Sequence, residues 1–222
     1  MRVPIVFVDA NVLYSKTLRD WLFLLRLETS ADMFTLASSN DVIAEVLYRL
    51  RRNNPSGPGH LTGNVKDTLE GTLDEIVRDF PAGTVFLGDD QHDVHVHAAT
   101  KECGASYLIT DDHGFFTVAD QLNYEVHTAD SFFQLLTENV PEVVDRVIHQ
   151  QLGYYRARGS GMTLSQALAD AGCPMFSTIV DQHLQALAAG RSTSGIAAEV
   201  GAGAVSERVQ PSVEIAESVR GR

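Results

Sequence analysis

Cysteine is nearly absent: Cys103 and Cys173 are the only two in 222 residues. They lie far apart and fit neither a zinc knuckle nor a disulfide framework, so they are expected as reduced core thiols in a cytoplasmic protein. Long apolar runs are also missing. The longest near the start, Trp21 to Leu25, falls far short of the roughly 20 residues that span a bilayer. No basic region followed by an apolar block opens the chain, so neither export nor membrane insertion is expected. Positive charge is scarce, with 17 Lys plus Arg against 29 Asp plus Glu and a net charge of −12. That balance argues against nucleic-acid binding through bulk charge, which depends on neutralising phosphates. Nor is there a GxxxxGK[ST] loop, a GxSxG elbow, a Cys/His nucleophile pairing or an internal repeat.

What is present is an ordinary globular composition, 44% apolar and 21% charged, with 10 Phe, 6 Tyr and 1 Trp. This is enough to bury a sizeable core in one large domain, or one compact domain with appendages. Val3 to Val8 reads as a buried strand ending at Asp9. A helix is expected from about Ser15 to Leu27, then a short strand at Phe34 to Ala37. Ser39 or Asn40 is placed to cap a helix through Arg52. Asn53 to Gly63 reads as a loop, and Val65 to Val77 as a helix ended by Pro81. A strand at Val85 to Leu87, a helix from His92 to Cys103 and a strand at Ser106 to Ile109 follow. Extended structure near Tyr124 to His127 precedes a helix around Ser131 to Leu136.

Strands alternating with helices predict an α/β fold with a central parallel sheet flanked by helices, and ligand sites beyond the carboxyl ends of the strands. From Pro141 the pattern turns helical, with Thr163 and Ser177 placed to open two further helices. Beyond Gly190 the chain is Gly, Ala, Ser and Val with scattered charge. The expected organisation is therefore an α/β domain over 1–139, a helical extension over 140–189, and a flexible or weakly packed tail over 190–222.

Asp9, Glu45, Asp93 and Asp112, with Asp111 adjacent, stand beside apolar runs at strand ends or near helix starts. Mg²⁺ takes oxygen ligands through a few carboxylates while keeping waters. Without a cation, neighbouring carboxylates raise one another's pKa. Each acid also has a plainer reading: Asp9 as a turn residue or N-cap, Glu45 as a solvated helix residue, Asp93 as a complement to a helix dipole, and Asp111 and Asp112 as turn formers before Gly114. Composition and periodicity leave both readings open.

Four segments are more specific together. Val6-Phe-Val-Asp9-Ala-Asn11-Val-Leu13, Ser39-Asn-Asp-Val-Ile-Ala-Glu45, Asp93-Val-His95-Val-His-Ala98-Ala99 and Tyr107-Leu-Ile-Thr110-Asp-Asp112 resemble the ordered motifs of PIN-domain ribonucleases, in particular the VapC-like toxins of bacterial toxin–antitoxin systems. The resemblance covers about residues 3–137. The downstream segment with Thr163-Leu and Gly172-Cys-Pro174 is similar to the tail of one branch of these proteins. The resemblance implies an endoribonuclease that uses Mg²⁺ or Mn²⁺, held by Asp9, Glu45, Asp93 and Asp112. Asn11, Ser39 and Thr110 would support the acids. RNA rather than DNA would be the substrate of the nuclease domain, and a protein antitoxin and a homodimer are further implied partners. The sequence departs from the family where Asp111 and Asp112 are both acidic; the T-x-D spacing favours Asp112, while Asp111 could share or replace its role.

Other constellations compete. Half of the eight His residues fall between His92 and His113, and His95-Val-His97 would present two imidazoles to one zinc ion if it were a strand. Helix spacing sends the two to different faces. Thr163 to Leu184 has a helix–turn–helix rhythm, yet no Lys or Arg lies between Arg158 and Arg191 to anchor a phosphate. Arg49, Arg51 and Arg52 have two readings, as a solvated helix end complementing the dipole or as anchors for RNA phosphates. Asp89 and Asp90 read as a solvated acidic turn. The net charge permits an RNA substrate only if cations reverse the field of the acidic pocket.

Overall fold

A computed structural model describes residues 3–29, 32–158 and 161–189; the tail expected over 190–222 lies outside the described residues. The strands are β1 (Ile5–Val8), β2 (Thr35–Ser39), β3 (Glu75–Val77), β4 (Tyr107–Ile109) and β5 (Glu125–His127). They form one sheet in the order β3-β2-β1-β4-β5, with every neighbouring pair parallel. The α/β class and the central parallel sheet flanked by helices are as the alternation predicts. β1 is buried along its whole length, as a central strand covered on both faces must be.

Ten helices lie among the described residues: α1 (Ala10–Tyr14), α2 (Lys16–Glu28), α3 (Asn40–Asn53), α4 (Gly59–Thr72), α5 (Val94–Glu102), α6 (His113–Thr117), α7 (Ala129–Asn139), α8 (Pro141–Arg158), α9 (Leu164–Asp170) and α10 (Pro174–Ala188). Ser39 caps α3 by accepting from the Val42 amide at 3.2 Å, so of the two candidate caps it is Ser39 that acts. Thr163 caps α9 through the Gln166 amide at 3.1 Å. α5 ends where Gly104 takes φ +66°, a left-handed conformation that costs glycine nothing. None of these helices is long and apolar enough to cross a membrane.

Four expectations about local structure fail. The helix expected over Val65 to Val77 stops at Thr72, and Ile76 and Val77 enter β3. Asp74 explains the break: its carboxylate accepts the Leu36 amide at 2.8 Å, and its own amide donates to the Leu36 carbonyl at 2.9 Å. Pairing with β2 thus overrides a helical period that two β-branched residues satisfy equally well. The loop expected over Asn53 to Gly63 is cut short, because α4 starts at Gly59 directly after Pro58. Val85 to Leu87 forms no strand; Phe86 stacks on Phe115 and His97 at centroid distances of 4.8 and 5.2 Å, leaving its two neighbours exposed. Ser177 opens no helix, since α10 begins at Pro174 and Ser177 Oγ donates to the Ser165 carbonyl at 3.0 Å.

The helices after residue 140 share the core of the sheet domain. Phe176 of α10 meets Trp21 of α2 edge-to-face at 5.0 Å and Phe133 of α7 at 5.0 Å. Asp130 of α7 accepts the Phe176 amide at 2.8 Å, capping α10 from another element. Cys103 and Cys173 are both free and buried.

Candidate functional site

The sheet order reverses direction at β1, with β2 on one side and β4 on the other. A crevice outside the carboxyl ends of the strands forms at such a switch point. Asp9 follows β1 there, and Thr110, Asp111 and Asp112 follow β4.

Asp9 is 7% exposed and held on both carboxylate oxygens. Oδ1 accepts the Ala10 amide at 2.6 Å. Oδ2 accepts Asn11 Nδ2 at 2.9 Å and the Thr110 hydroxyl at 2.6 Å. An ionised carboxylate offers about four acceptor positions, so one is left. Burial pushes the Asp9 carboxyl above its ordinary range, against the pull of the Thr110 and Ala10 hydrogen bonds. Asp9 therefore does act as an N-cap, of α1, and faces the cleft as well.

Thr110 is the hub of this arrangement. Besides donating to Asp9, its hydroxyl accepts from Asn11 Nδ2 at 3.1 Å and from the Asp112 amide at 3.0 Å. One donor and two acceptor positions exhaust a hydroxyl. Asn11 closes the loop, accepting the Asp111 amide on Oδ1 at 3.2 Å.

Asp93 arrives from a single turn of 3-10 helix over Gln91–Asp93, capped by Asp90, whose Oδ1 accepts the His92 amide at 2.8 Å. Asp93 is 7% exposed, and its Oδ2 is buried with no hydrogen-bond partner among the described residues. A Cβ built on Gly114 would stand 2.9 Å from that atom and 3.2 Å from Asp112 Oδ1. Two carboxylate oxygens thus crowd one glycine, leaving no room for a side chain. Burial, then the charges of Asp112, Asp90 and Asp9, push the Asp93 carboxyl up to about 6.

Glu45 reaches the same cleft from the second turn of α3. Its Oε1 pairs with Arg49 Nη2 at 2.5 Å, and its Oε2 lies 4.0 Å from His95 Nε2. The cleft encloses about 630 Å³. Asp9, Glu45, Asp93 and Asp112 line one part, and Phe80 to Thr84 build a wall. Among the described residues, no three His, Cys, Asp or Glu side chains converge closely enough to hold a metal ion between them. The four acids share a cleft rather than a single coordination point.

The remaining predicted positions separate. Asp112 lines the cleft, whereas Asp111 is not among its lining residues; burial pushes the Asp111 carboxyl up, against the pull of the Ala129 amide at the start of α7. Arg49 lines the cleft, but Arg51 is turned to the Gly57 carbonyl at 2.5 Å and Thr62 Oγ1 at 3.3 Å. Neither Arg51 nor Arg52 belongs to the lining. Ser39 sits behind the site as the cap of α3, fully buried. His95 and His97 diverge as helix spacing predicts: His95 faces Glu45, while His97 Nδ1 meets the buried Tyr124 hydroxyl at 2.7 Å.

Sequence reasoning missed the Phe80 to Thr84 wall, because a helix period was extended to Pro81 across a segment that turns into a strand and then a loop. Asp90, read as a solvated turn, is exposed as expected, and it also caps the 3-10 turn and lines the cleft. The signal available for Asp90 was its place two residues before a donor, the pattern of a local cap. No protein-family model matches the chain, and no curated protein matches it either.

Proposed function

We propose that the chain is a PIN-like, metal-dependent endoribonuclease. The observation that carries this reading is the buried, unpartnered Asp93 Oδ2 set beside Asp112 Oδ1 at the switch point of a parallel sheet. A buried carboxylate oxygen without a partner is expensive. A cation between these two groups removes that cost. Mg²⁺ binds through one or two carboxylates plus water and substrate phosphate rather than through an all-protein cage. A site in which no three acids converge suits it on those terms.

Asp93 and Asp112 would hold Mg²⁺ or Mn²⁺, Asp9 offering its remaining acceptor position and Glu45 facing them from α3. A bound cation supplies charge neutralisation for the phosphodiester and acidifies water. Asn11 and Thr110 fix the Asp9 carboxylate, and Ser39 fixes the start of the helix that carries Glu45. Arg49, which lines the cleft, would meet a phosphate of the RNA. The toxin of a toxin–antitoxin pair is the biological setting we propose, in a cytoplasm, with a protein antitoxin and a second copy of the chain as partners.

A second reading is a PIN-like scaffold that binds RNA or protein without cutting. The Glu45–Arg49 ion pair favours it, since it occupies one of the four acids. A PIN-like RNA-processing nuclease without an antitoxin shares the first chemistry, and an adjacent antitoxin reading frame separates the two. The deciding assay is RNA cleavage with Mg²⁺, Mn²⁺ or EDTA, comparing wild type with Asp9→Asn. Cleavage that stops with EDTA and with Asp9→Asn supports the nuclease. Cleavage that survives both removes the mechanism, and metal binding with no cleavage of any RNA selects the scaffold.

A further inference from the structure

We infer that Gly114 is a positioning residue of the acidic cleft: its missing side chain keeps open the space that Asp93 Oδ2 and Asp112 Oδ1 both face, and that space is the seat of the cation. The inference rests on the metal-dependent reading above and names the residue that shapes its site. A Cβ on Gly114 would stand 2.9 Å from Asp93 Oδ2 and 3.2 Å from Asp112 Oδ1, so both oxygens face one point. Asp93 Oδ2 is buried and takes no hydrogen bond among the described residues. Asp112 Oδ1 accepts the Gly114 amide at 2.8 Å and keeps one acceptor position. One oxygen lacks a partner, and the other can take a second.

Nothing about the backbone asks for glycine here. The left-handed glycines among the described residues are Gly83, Gly104 and Gly172, whereas Gly114 lies in α6 with a conformation that alanine adopts without strain. Alanine at such a position is normally stabilising, because it restricts the unfolded chain. The other glycines inside the described helices, Gly59, Gly63, Gly71 and Gly153, would each place a Cβ in open space. At Gly114 it would meet two carboxylates. Neither backbone can retreat from such a side chain. Gly114 is held through its amide by Asp112 and through its carbonyl, which accepts Thr117 Oγ1 at 2.7 Å, and the next residue, Phe115, is fully buried. Asp93 is held in its turn by its own amide, which donates to the Asp90 carbonyl at 3.2 Å. The Asp93 carboxylate is therefore the part that yields. Turning Oδ2 away from a methyl group takes it out of the space it shares with Asp112 Oδ1, and a divalent cation loses one of its few carboxylate ligands.

Full-length wild type, Gly114→Ala, Asp93→Ala and the double variant separate this from a general packing defect, with Gly63→Ala as the open-space control. In calorimetric titration Gly114→Ala should raise the Mn²⁺ dissociation constant by about 10- to 100-fold, the scale seen when the support of a metal ligand is lost. Gly63→Ala should stay within about twofold of wild type. Thermal melts in EDTA read the contact itself without metal. In the Asp93→Ala background, where the crowded oxygen is gone, Gly114→Ala should raise the melting temperature by about 1–4 °C, as Gly63→Ala should in wild type. With Asp93 present, Gly114→Ala should fall short of that gain or lower the melting temperature. Mn²⁺ affinity of Gly114→Ala within about twofold of wild type overturns the inference. So does an equal melting shift in the two backgrounds, or a double variant that fails to fold where Asp93→Ala folds. A wild type that binds no Mn²⁺ overturns instead the metal-dependent reading, while the EDTA melts still decide whether Gly114 spaces the two carboxylates.

Discussion

Thr110 Oγ1 donates to Asp9 Oδ2 at 2.6 Å, joining the carboxyl ends of β1 and β4 across the switch point. The two residues are 101 positions apart in the chain, so the contact exists only because β1 and β4 are neighbours. The same hydroxyl accepts from Asn11 and from the Asp112 amide.

Replacing Thr110 by Val keeps the shape and removes the hub. The Asp112 amide and Asn11 each lose an acceptor and Asp9 loses a donor, with a cost of about 1–3 kcal/mol. The expected outcome is a lowered melting temperature for Thr110→Val and, for the proposed RNA cleavage, a reduction of at least about tenfold. Thr110→Ser should retain most of both. A Thr110→Val protein as stable and as active as wild type would show that the hub does nothing for the site.

The raised Asp93 carboxyl makes stability depend on pH in a direction opposite to the usual acid. Its folded pKa of about 6 lies above the ordinary 3.8, so between these values the folded state binds more protons than the unfolded state. Stability from this group is therefore full at low pH and is lost as pH rises through about 6. Asp93→Asn should stabilise the metal-free protein at pH 7 by about 1–3 kcal/mol and leave it nearly unchanged at pH 4. Denaturant melts in EDTA at the two pH values read this directly. Equal effects at both pH values would mean that Asp93 ionises without strain.

Metal affinity should follow the same proton. Under the proposed metal-dependent reading Asp93 must lose its proton before a cation binds, so Mn²⁺ affinity is expected to climb between pH 5 and 7, with a bend near the Asp93 value of about 6. Calorimetry in two buffers of different ionisation enthalpy should show about three-quarters of a proton released per site at pH 5.5. A pH-independent affinity would place the cation elsewhere.

The helical extension should be inseparable from the sheet domain. Phe176 covers Trp21 and Phe133, and all three are buried. Phe176→Ala is expected to cost about 3–5 kcal/mol and to shift Trp21 fluorescence to the red. Truncation after Asn139 would strip the same face and should yield insoluble protein. A soluble, cooperatively folding 1–139 fragment would show that the extension is dispensable for folding.

Much of this protein was legible one residue at a time. The buried run of β1, the Ser39 and Thr163 caps, the helical spacing that parts His95 from His97, and the alternation that gives a parallel sheet are all local properties. They follow from side-chain period and from backbone groups a few positions away. Which residues meet was decided otherwise. β3 took Ile76 and Val77 from a helical pattern because Asp74 bonds the edge of β2. Asp111 was tied through its amide to Asn11, a hundred positions away, while Arg51 was drawn off to Gly57 and Thr62 in the turn and helix that follow α3. The sequence alone determined the acids and the strand ends, helix and turn that carry them; only the tertiary structure, by reversing the strand order at β1, brought Asp9 beside Thr110 and put Asp93 and Asp112 in one cleft, because contacts between strands depend on sheet order and not on chain order.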